Sequence, residues 1–550
     1  MDNRTILAIA LSIGVLLAFQ FFISPLVTPP KKNNIQRSQP VSSEHKMQAA
    51  AKTDAAQSAQ QPAQQSSAIQ EKAVVGTESE TGRAARDVVV DTPLYSMVLS
   101  EKGAVIRSLA LKKYLTSQKD GKPIEIVHDD SALLLKLDGK DTSACVFDAS
   151  STLLKLNEKN SNAELSFTCA MPGGGRVVKT FGLHANNYWI DIAIRVSGME
   201  PQSISLSFQN DPLEKAGQIF AGPVYYSKGS INELELKKAG ERKEVVEPLE
   251  WMGYSDHYFL TSLVTKTRDV PWRVAFERIN DAGTFRSELS TASGQLKQAK
   301  GETILELGAY IGPKEYSQLK AVNYDLTNAL YFGWFDVIAK PLLLFLNFIH
   351  DYIPNYGVAI IIITVIIKIL FWPLAHKSAK SMKTLQKIQP KLAKLKEKYG
   401  DDKEKLNKEL MQLYKTYNVN PMGGCLPMLL QIPVFFALYK VLLQSIEIRH
   451  APFVLWITDL SAPDRLMIPG VELPWIGGIP VLTLLMGASM YLQQRLTPTA
   501  GDPTQAMMMR FLPLVFTFMF INFPSGLVLY WFVNNVLSIV QQYYINKTVD

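Results

Sequence analysis

The sequence predicts an α-helical membrane bundle joined to a separate all-β domain. Three observations predict this fold: an apolar run at the N-terminus, alternation of apolar and polar residues over residues 87–328, and several apolar runs after them. The chain has 550 residues, which is enough for more than one domain, and a formal net charge of +7. The position of that excess charge is more informative than its size.

Residues 1–28 are predicted to form an uncleaved transmembrane anchor. The apolar run extends from Ile6 to Ile23 and is interrupted only by Ser12 and Gln20, so it is long enough to span a bilayer. No small-x-small cleavage motif follows it; a cleaved signal peptide is the alternative. Residues 29–86 are rich in Gln, Ala and Ser and have little to bury, which predicts a disordered tether.

Residues 87–328 are predicted to form a large antiparallel β-sandwich. Ile190, Ile192 and Ile194 alternate with other residues as in a strand with one buried face, and Gly and Pro turns separate many such runs. Histidines and carboxylates are scattered, which favours a scaffold or docking role over a mutarotase-like enzyme. No catalytic residue, metal site or cofactor is predicted.

The chain contains three cysteines, Cys145, Cys169 and Cys425, and no CxxC motif. Cys145 and Cys169 both fall in the predicted β domain. A disulfide and a pair of buried free thiols are both compatible with the sequence.

Residues 329–353 are predicted to form an interfacial amphipathic helix, because Asp336, Lys340 and His350 interrupt an apolar and aromatic segment. Pro341 is expected to break its middle. A transmembrane span is the alternative for this segment.

Five further spans are predicted by length and hydropathy, which makes six with the N-terminal anchor. The second transmembrane helix occupies residues 354–376 and the third residues 420–444. A loop follows over residues 445–477. Residues 478–550 hold the last three helices and a short tail.

The lysine-rich segment between the second and third helices sets the predicted orientation. Residues 376–419 contain twelve lysines and five acidic residues, and the positive-inside rule places such a segment in the cytoplasm. The β domain, its tether and the loop at residues 445–477 are then periplasmic. The chain is thus predicted to be a multi-pass protein of the bacterial inner membrane. An even number of spans, six, places both of its termini in the cytoplasm.

Residues 377–419 are predicted to form a helical hairpin, because two heptad-like apolar runs flank a turn at Gly400. One run includes Leu385, Ile388 and Leu392, and the other ends at Tyr417. The outer face carries Lys380, Lys383, Lys387, Lys391 and Lys394. This basic face fits contact with a ribosome, anionic lipid or a nascent chain, and topology control is the alternative.

Lys368 lies inside the apolar run IIIITVIIKILFWP, where a charge costs at least about 2.5 kcal/mol near a helix centre. A lysine at this depth either serves a function or extends to the interface. Other polar residues accompany it in the predicted spans, namely Thr364 one turn before it and Gln431 in the third span. The last span carries a polar stripe at spacings of three and four, which consists of Trp531, Asn534, Asn535, Ser538 and Gln542. They fit a water-filled cavity, and simple hydrogen bonding between helices is the alternative.

Three long stretches carry a family resemblance: NPMGGCLPMLLQIPVFFALY, APFVLWITDLS and FPSGLVLYWFVNN. They closely resemble the signatures of YidC insertases. The stretches around GAVIRSLALKKY and WMGYSDHYF resemble the periplasmic domain of the Gram-negative form. The match covers nearly the whole chain except the tether.

The resemblance implies a non-enzymatic protein that inserts and folds membrane proteins, alone or with the Sec translocon. It implies a groove open to cytoplasm and lipid, in which Lys368 takes the place of the usual arginine. Thr364, Gln431, Trp531, Asn534 and Asn535 are the other predicted groove residues. The implied partners are nascent membrane proteins, the Sec translocon, the ribosome and phospholipid, with no specific nucleic acid.

Three other functions are weighed against the insertase. A transporter or channel is disfavoured because the spans show no repeat halves or acid–base relay. A periplasmic enzyme lacks clustered catalytic groups. A pure assembly factor, which folds clients without inserting them, is not separable from an insertase by sequence.

Overall fold

The computed structural model describes residues 84–118, 121–128, 132–172, 174–213, 219–266, 271–291, 296–299, 301–400, 402–417, 426–470, 477–496 and 503–548. The predicted anchor and all but the last residues of the tether lie outside this set. The chain from Ala85 onward forms one compact unit.

The first half of this unit consists of short strands. In chain order they are β1 (Asp87–Asp91), β2 (Tyr95–Ser100), β3 (Val105–Leu115), β4 (Pro123–Val127), β5 (Ala132–Leu137), β6 (Lys140–Asp141), β7 (Asp148–Ala149), β8 (Leu153–Lys155), β9 (Asn162–Ala170), β10 (Arg176–His184), β11 (Trp189–Ser197), β12 (Ile204–Asn210), β13 (Gly222–Ser227), β14 (Ser230–Glu233), β15 (Arg242–Pro248), β16 (Trp251–Ser255), β17 (Phe259–Thr265), β18 (Pro271–Arg278), β19 (Phe285–Thr291), β20 (Lys297–Ala299) and β21 (Glu302–Pro313).

These strands form two large sheets. One has eleven strands in the order β15-β18-β19-β12-β5-β3-β2-β1-β8, with β4 beside β3 and β6 beside β5. The other has ten, in the order β14-β13-β16-β17-β21-β11-β10-β9-β7, with β20 beside β21. Among the described strands, only the pairing of β1 with β8 is parallel.

Aromatic contacts between the sheets show that they pack face to face. Tyr254 of β16 lies 5.7 Å from Phe285 of β19, and Tyr225 of β13 lies 6.3 Å from Phe276 of β18, measured between ring centroids. The alternation in β11 places Ile192 and Ile194 in the core, as period two predicts. We refer to these two sheets as the sandwich.

A disulfide joins the segment before β7 to β9. The Sγ atoms of Cys145 and Cys169 are bonded, and their Cα atoms lie 6.6 Å apart, within the usual range for a disulfide. The sequence leaves open a disulfide or two free thiols, and the structure shows the disulfide.

Helices follow the sandwich. They are α1 (Tyr316–Val322), α2 (Asp336–Tyr352), α3 (Tyr356–Tyr399), α4 (Lys403–Thr416), α5 (Leu426–Gln444), α6 (Val481–Leu496), α7 (Pro503–Phe520) and α8 (Ser525–Thr548). Short 3₁₀ turns at Leu326–Ala329 and Gly333–Phe335 lead into α2. We call the group α2, α3 and α5–α8 the bundle.

Two of the described helices are long and apolar enough to cross a membrane, Gly333–Tyr352 and Tyr356–Tyr399. Two shorter apolar helical segments are Leu430–Gln444, within α5, and Arg510–Phe520, within α7. The segment around α2 therefore meets the length and hydropathy of a span, the alternative to an interfacial helix. The count of six spans stays a prediction.

One sequence expectation about helix interruption is wrong, and one predicted segment boundary does not coincide with a helix end. Pro341 does not break α2, because it is the sixth residue and removes only the bond to the carbonyl of Val337. Helix α3 does not end near residue 376: it continues past Pro373 and Pro390 to Tyr399, so one helix contains the predicted span and the first arm of the hairpin.

The hairpin arms, α3 and α4, meet through an apolar seam. Leu385 and Ile388 are buried, and Leu392, Leu413 and Tyr414 pack against them. Tyr417, predicted to lie in the seam, is exposed at its rim, where the ammonium of Lys391 lies 4.8 Å from its ring centroid. The 3.6-residue period directs Tyr414 to the seam instead.

Candidate functional site

Lys368 is positioned by α8. Its Nζ donates hydrogen bonds to Oδ1 of Asn534 at 3.2 Å and to Oγ of Ser538 at 2.6 Å. The four-residue spacing of Asn534 and Ser538 places both on one face of α8, toward α3. Residues more than 160 positions apart in the chain thus form one polar cluster, which we call the lysine site.

The lysine site holds a positive charge without a carboxylate partner. Both hydrogen-bond partners of Lys368 are neutral, and within the part of the chain that the structure describes it forms no ion pair. The side chain is half-buried. A half-buried ammonium with neutral partners keeps its attraction for an incoming anion, because no fixed counter-charge neutralises it.

Thr364 lies one turn before Lys368 but uses its hydroxyl locally. Its side chain is buried, and Oγ1 donates to the carbonyl of Ile360 at 2.6 Å within α3. This bond is the common arrangement of a threonine inside a helix. Thr364 therefore lies beside the lysine site, and its hydroxyl is engaged within its own helix.

The other predicted groove residues face other helices. Gln431 of α5 donates from Nε2 to the hydroxyl of Tyr530 at 3.2 Å. Asn535 is buried and donates from Nδ2 to Oγ of Ser489 on α6 at 3.1 Å. These are the helix-to-helix bonds that the sequence left open as the alternative.

Trp531 belongs to an aromatic cluster between α5, α7 and α8. Its ring centroid lies 4.8 Å from that of Phe435, 5.3 Å from that of Phe520 and 6.0 Å from that of Phe516. The predicted polar stripe on α8 is therefore split over several faces of the helix. Among the described residues of this stripe, Asn534 and Ser538 are the two that accept hydrogen bonds from Lys368.

Ser538 was not among the predicted groove residues, although the polar stripe on α8 included it. The signal that could have selected it is its spacing of one helical turn from Asn534. The lysine ammonium has three donors, and these two residues accept from two of them.

One end of the bundle is covered by the segment after α5, residues 445–470, which we call the end loop. It is tied to the start of α3 by Asn355, whose Nδ2 donates to the carbonyl of Phe453 at 3.1 Å. It is tied to the start of α8 by the amide of Gly526, which donates to the carbonyl of Leu460 at 2.9 Å. The end loop thus fastens the ends of several helices together.

The end loop also connects to α6 and α7. Oδ2 of Asp464 accepts from the amide of Thr483 at 3.1 Å, near the start of α6. The guanidinium of Arg465 donates to the carbonyl of Ile521 at 2.8 Å, just past the end of α7. Both are cap interactions that satisfy backbone groups at helix ends.

The sandwich rests on the same end of the bundle. Arg449 donates to the carbonyl of Leu115 at 2.9 Å, and Nε2 of His257 lies 2.5 Å from the carbonyl of Leu443. The amide of Gln118 donates to the carbonyls of His450 and Thr458 at 3.0 and 2.9 Å. These contacts form a polar junction between the two parts of the molecule.

The lysines predicted to form the basic face of the hairpin lie on its outside. Lys380, Lys387, Lys391 and Lys394 are exposed and Lys383 is half-buried. The apolar seam turns these side chains outward, because heptad spacing directs the leucines to the opposite side.

No cluster of three or more His, Cys, Asp or Glu that could hold a metal ion occurs among the described residues. What the lysine site can do chemically is bind an anionic group, by charge and by hydrogen bonds.

Comparisons with known proteins agree with this architecture. Residues 348–550 match the family described as 60Kd inner membrane protein, and residues 87–345 match the family described as YidC periplasmic domain. The membrane protein insertase YidC of Syntrophus aciditrophicus (strain SB) is 40% identical over 567 residues, which cover 100% of each chain. That of Syntrophobacter fumaroxidans (strain DSM 10017 / MPOB) is 41% identical over 477 residues, 83% of this chain and 86% of the relative.

A crystal structure described as an active YidC insertase with the first transmembrane domain resolved aligns with 84% of this chain and 93% of its own. The identity is 20% and the TM-score 0.37, a similarity too low to support an argument.

The resemblance inferred from the sequence motifs is confirmed by the family matches and by the full-length relatives. The sandwich lies within the match to the periplasmic domain of this family, and helices α3 to α8 lie within the match to its inner-membrane part. The family is not enzymatic, which confirms the prediction that this chain is not an enzyme. The chain belongs to the YidC family of membrane protein insertases.

Proposed function

We propose that this protein inserts, folds and assembles integral inner-membrane proteins through a hydrophilic groove that contains Lys368. The observation that supports this is the lysine site, in which the described hydrogen-bond partners of a half-buried ammonium, Asn534 and Ser538, are both neutral. Such a charge is costly in a membrane and is retained where it serves a function.

The charge attracts acidic residues in the translocated segment of a client. A wet groove shortens the apolar barrier that this segment crosses. The membrane potential adds about 2.3 kcal/mol per charge per 100 mV and draws acidic residues toward the positive periplasm. Transfer of the client's own apolar helix into lipid then supplies the free energy, so no nucleotide is required.

The end loop supports a groove that is closed toward the periplasm. Its hydrogen bonds to the ends of α3, α6, α7 and α8 cover the bundle on the side where the sandwich sits. In this proposal, clients enter from the opposite, cytoplasmic side and leave sideways into lipid. The exposed apolar residues of α3, such as Ile369 and Leu370, fit a lipid-facing exit.

The remaining assignments follow the same orientation. Six spans place both termini and the hairpin of α3 and α4 in the cytoplasm. There, the exposed lysines of the hairpin contact the ribosome, anionic lipid or the nascent chain. The sandwich acts as a scaffold or docking domain, and the protein works alone or with the Sec translocon.

The test is insertion of a small client with an acidic translocated segment, in cells depleted of their own insertase. We expect Lys368→Arg to support insertion, and Lys368→Ala and Lys368→Glu to fail. The matched control is Lys340→Ala, because Lys340 is already paired with Asp336 at 2.8 Å. Equal insertion by all Lys368 variants would show that the charge of Lys368 does not take part in insertion.

A further inference from the structure

Two turns of the end loop expose large apolar side chains. At the first, Leu455 is 84% exposed and Val454 46%; at the second, Met467 is 67% exposed and Ile468 41%. We call these pairs the first tip and the second tip. Isolated apolar residues on a surface are ordinary, but two pairs of exposed apolar neighbours on one loop indicate a contact surface.

The first tip is held in a fixed shape. The amide of Phe453 donates to the carbonyl of Ile457 at 3.0 Å, and the amide of Ile457 donates to the carbonyl of Val454 at 3.1 Å. Leu455 has φ of +56°, a left-handed conformation that is costly for a residue with a branched side chain. The indole of Trp456 donates to Oδ1 of Asp464 at 2.7 Å and fixes the far side of the turn.

The second tip follows a short paired segment. Leu466 and Ile479 exchange two backbone hydrogen bonds, of 2.8 and 2.9 Å. Met467 and Ile468 come directly after this pair, while α6 begins at Val481, two residues beyond Ile479. The second tip therefore lies next to the point where an apolar helix begins.

The first tip lies beside the start of α3. Phe453 packs so closely on Gly357, in the first turn of α3, that a Cβ at Gly357 would lie 2.1 Å from its ring. The residues that follow Gly357 begin the more apolar of the two described helices that are long enough to cross a membrane. Each tip therefore lies next to the start of a helix of the bundle, the first at α3 and the second at α6.

The occupant that fits this position is the lipid bilayer. The tips continue the exposed apolar surface of the helices, because Leu484 and Leu485 of α6 are 51% and 45% exposed just beyond the second tip. The described side chains of the tips carry no charge, which suits the boundary between headgroups and acyl chains. A rigid turn loses little conformational freedom on insertion.

We propose that the first and second tips insert into the leaflet on the sandwich side and fix the depth and tilt of the bundle. Since the end loop also carries the sandwich contacts of Arg449 and His450, the same segment sets the height of the sandwich above the membrane. The bundle is thereby held at a defined level while clients pass beside it.

The experiment uses the full chain with Cys425→Ala, in vesicles of phosphatidylethanolamine and phosphatidylglycerol, with a nitroxide at Leu455→Cys or Met467→Cys. Collision rates are measured with oxygen, which concentrates in lipid, and with a water-soluble nickel complex. The control is Val246→Cys, because Val246 is an apolar residue 57% exposed on edge strand β15 of the sandwich.

We expect oxygen to relax both tip labels several-fold more efficiently, relative to nickel, than it relaxes the label at position 246. Tip labels as accessible to nickel as the control would overturn the proposal. So would labels shielded from both reagents, because that pattern indicates cover by protein. Val454→Cys and Ile468→Cys give the same measurement if a first variant does not reconstitute.

Discussion

The backbone amide of Tyr316 donates a hydrogen bond of 3.1 Å to Oε1 of Glu447, joining the first helix after the sandwich to the end loop. The second oxygen, Oε2, is shielded from solvent and has no hydrogen-bond partner in the described structure. Desolvation raises the pKa of Glu447 to about 7. The junction between the two parts of the molecule therefore contains a carboxyl group that titrates near neutral pH.

We predict that this junction weakens as the pH rises. The folded pKa of Glu447 is raised above its ordinary value of 4.5, so the folded protein binds this proton more tightly than the unfolded chain does. The stability that this tighter binding contributes is present at low pH and is lost as the pH rises through about 7. The expected loss is on the order of 2 kcal/mol between pH 5 and pH 8, allowing for partial exposure. Hydrogen exchange of the α1 amides over this range measures it.

Glu447→Gln is the matched variant, since it keeps the shape and an acceptor oxygen but does not titrate. Its α1 protection should stay constant from pH 5 to pH 8 and exceed that of the wild type at pH 8. A Gln variant with the same pH dependence as the wild type would assign the effect to another group.

A second prediction concerns Lys179, which lies buried in the sandwich. Its Nζ donates to the carbonyl of Ala104 at 2.8 Å and to that of Leu133, both near or in the opposite sheet. Burial lowers its pKa to about 7. The unfolded chain then binds more protons than the folded chain between pH 7 and pH 10.5, so the free energy of unfolding of the sandwich should increase with pH in that range.

Denaturant unfolding at pH 7 and pH 9, monitored by hydrogen exchange of the β10 amides, measures this change in the free energy of unfolding. The expected increase is about 2 kcal/mol. Lys179→Met removes the titrating group and should give the same stability at both values. An equal increase in the Met variant would contradict the assignment.

A third prediction concerns the partners of Lys368. Asn534→Ala removes one hydrogen bond to the ammonium and should reduce insertion of an acidic client about tenfold, as expected for loss of a charge-assisted hydrogen bond. Ser538→Ala should act in the same direction. The measurement is insertion of paired clients that carry Asp or Asn in the translocated segment.

Asn535→Ala is the control for the third prediction, because Asn535 is the neighbour of Asn534 but bonds Ser489 on α6. It should lower packing stability by about 0.6 kcal/mol while the ratio of Asp to Asn client insertion stays unchanged. A changed ratio in this control, or an unchanged ratio in Asn534→Ala, would contradict the lysine site.

A fourth prediction concerns the disulfide. Its cysteines are separated by 24 residues, and closing a loop of this size stabilises a folded domain by about 3 kcal/mol. Cys145→Ala combined with Cys169→Ala should lower the free energy of unfolding of the sandwich by that amount. In a Cys425→Ala background, reducing agent should destabilise the protein equally, and mass spectrometry should show one bond. An unfolding curve that does not change with reducing agent would exclude a stabilising disulfide.

The sequence predicted the fold class well because its signals are local. Alternation in β11 and the long apolar run of α3 each specify an element from residues close together in the chain. Pro341 and the boundary near residue 376 show where local sequence signals fail to predict the ends of a helix. A proline early in a helix and a lysine-rich continuation are both compatible with an unbroken helix, and only packing decides.

The sequence by itself determined the family, the polar residues available to a site and the basic outer face of the hairpin. The tertiary structure decided which of those residues meet. Asn534 and Asn535 are identical side chains on adjacent positions of α8, yet one faces Lys368 and the other Ser489, because successive helical residues point about 100° apart. Their partners lie 166 and 46 residues away, so no local pattern distinguishes them.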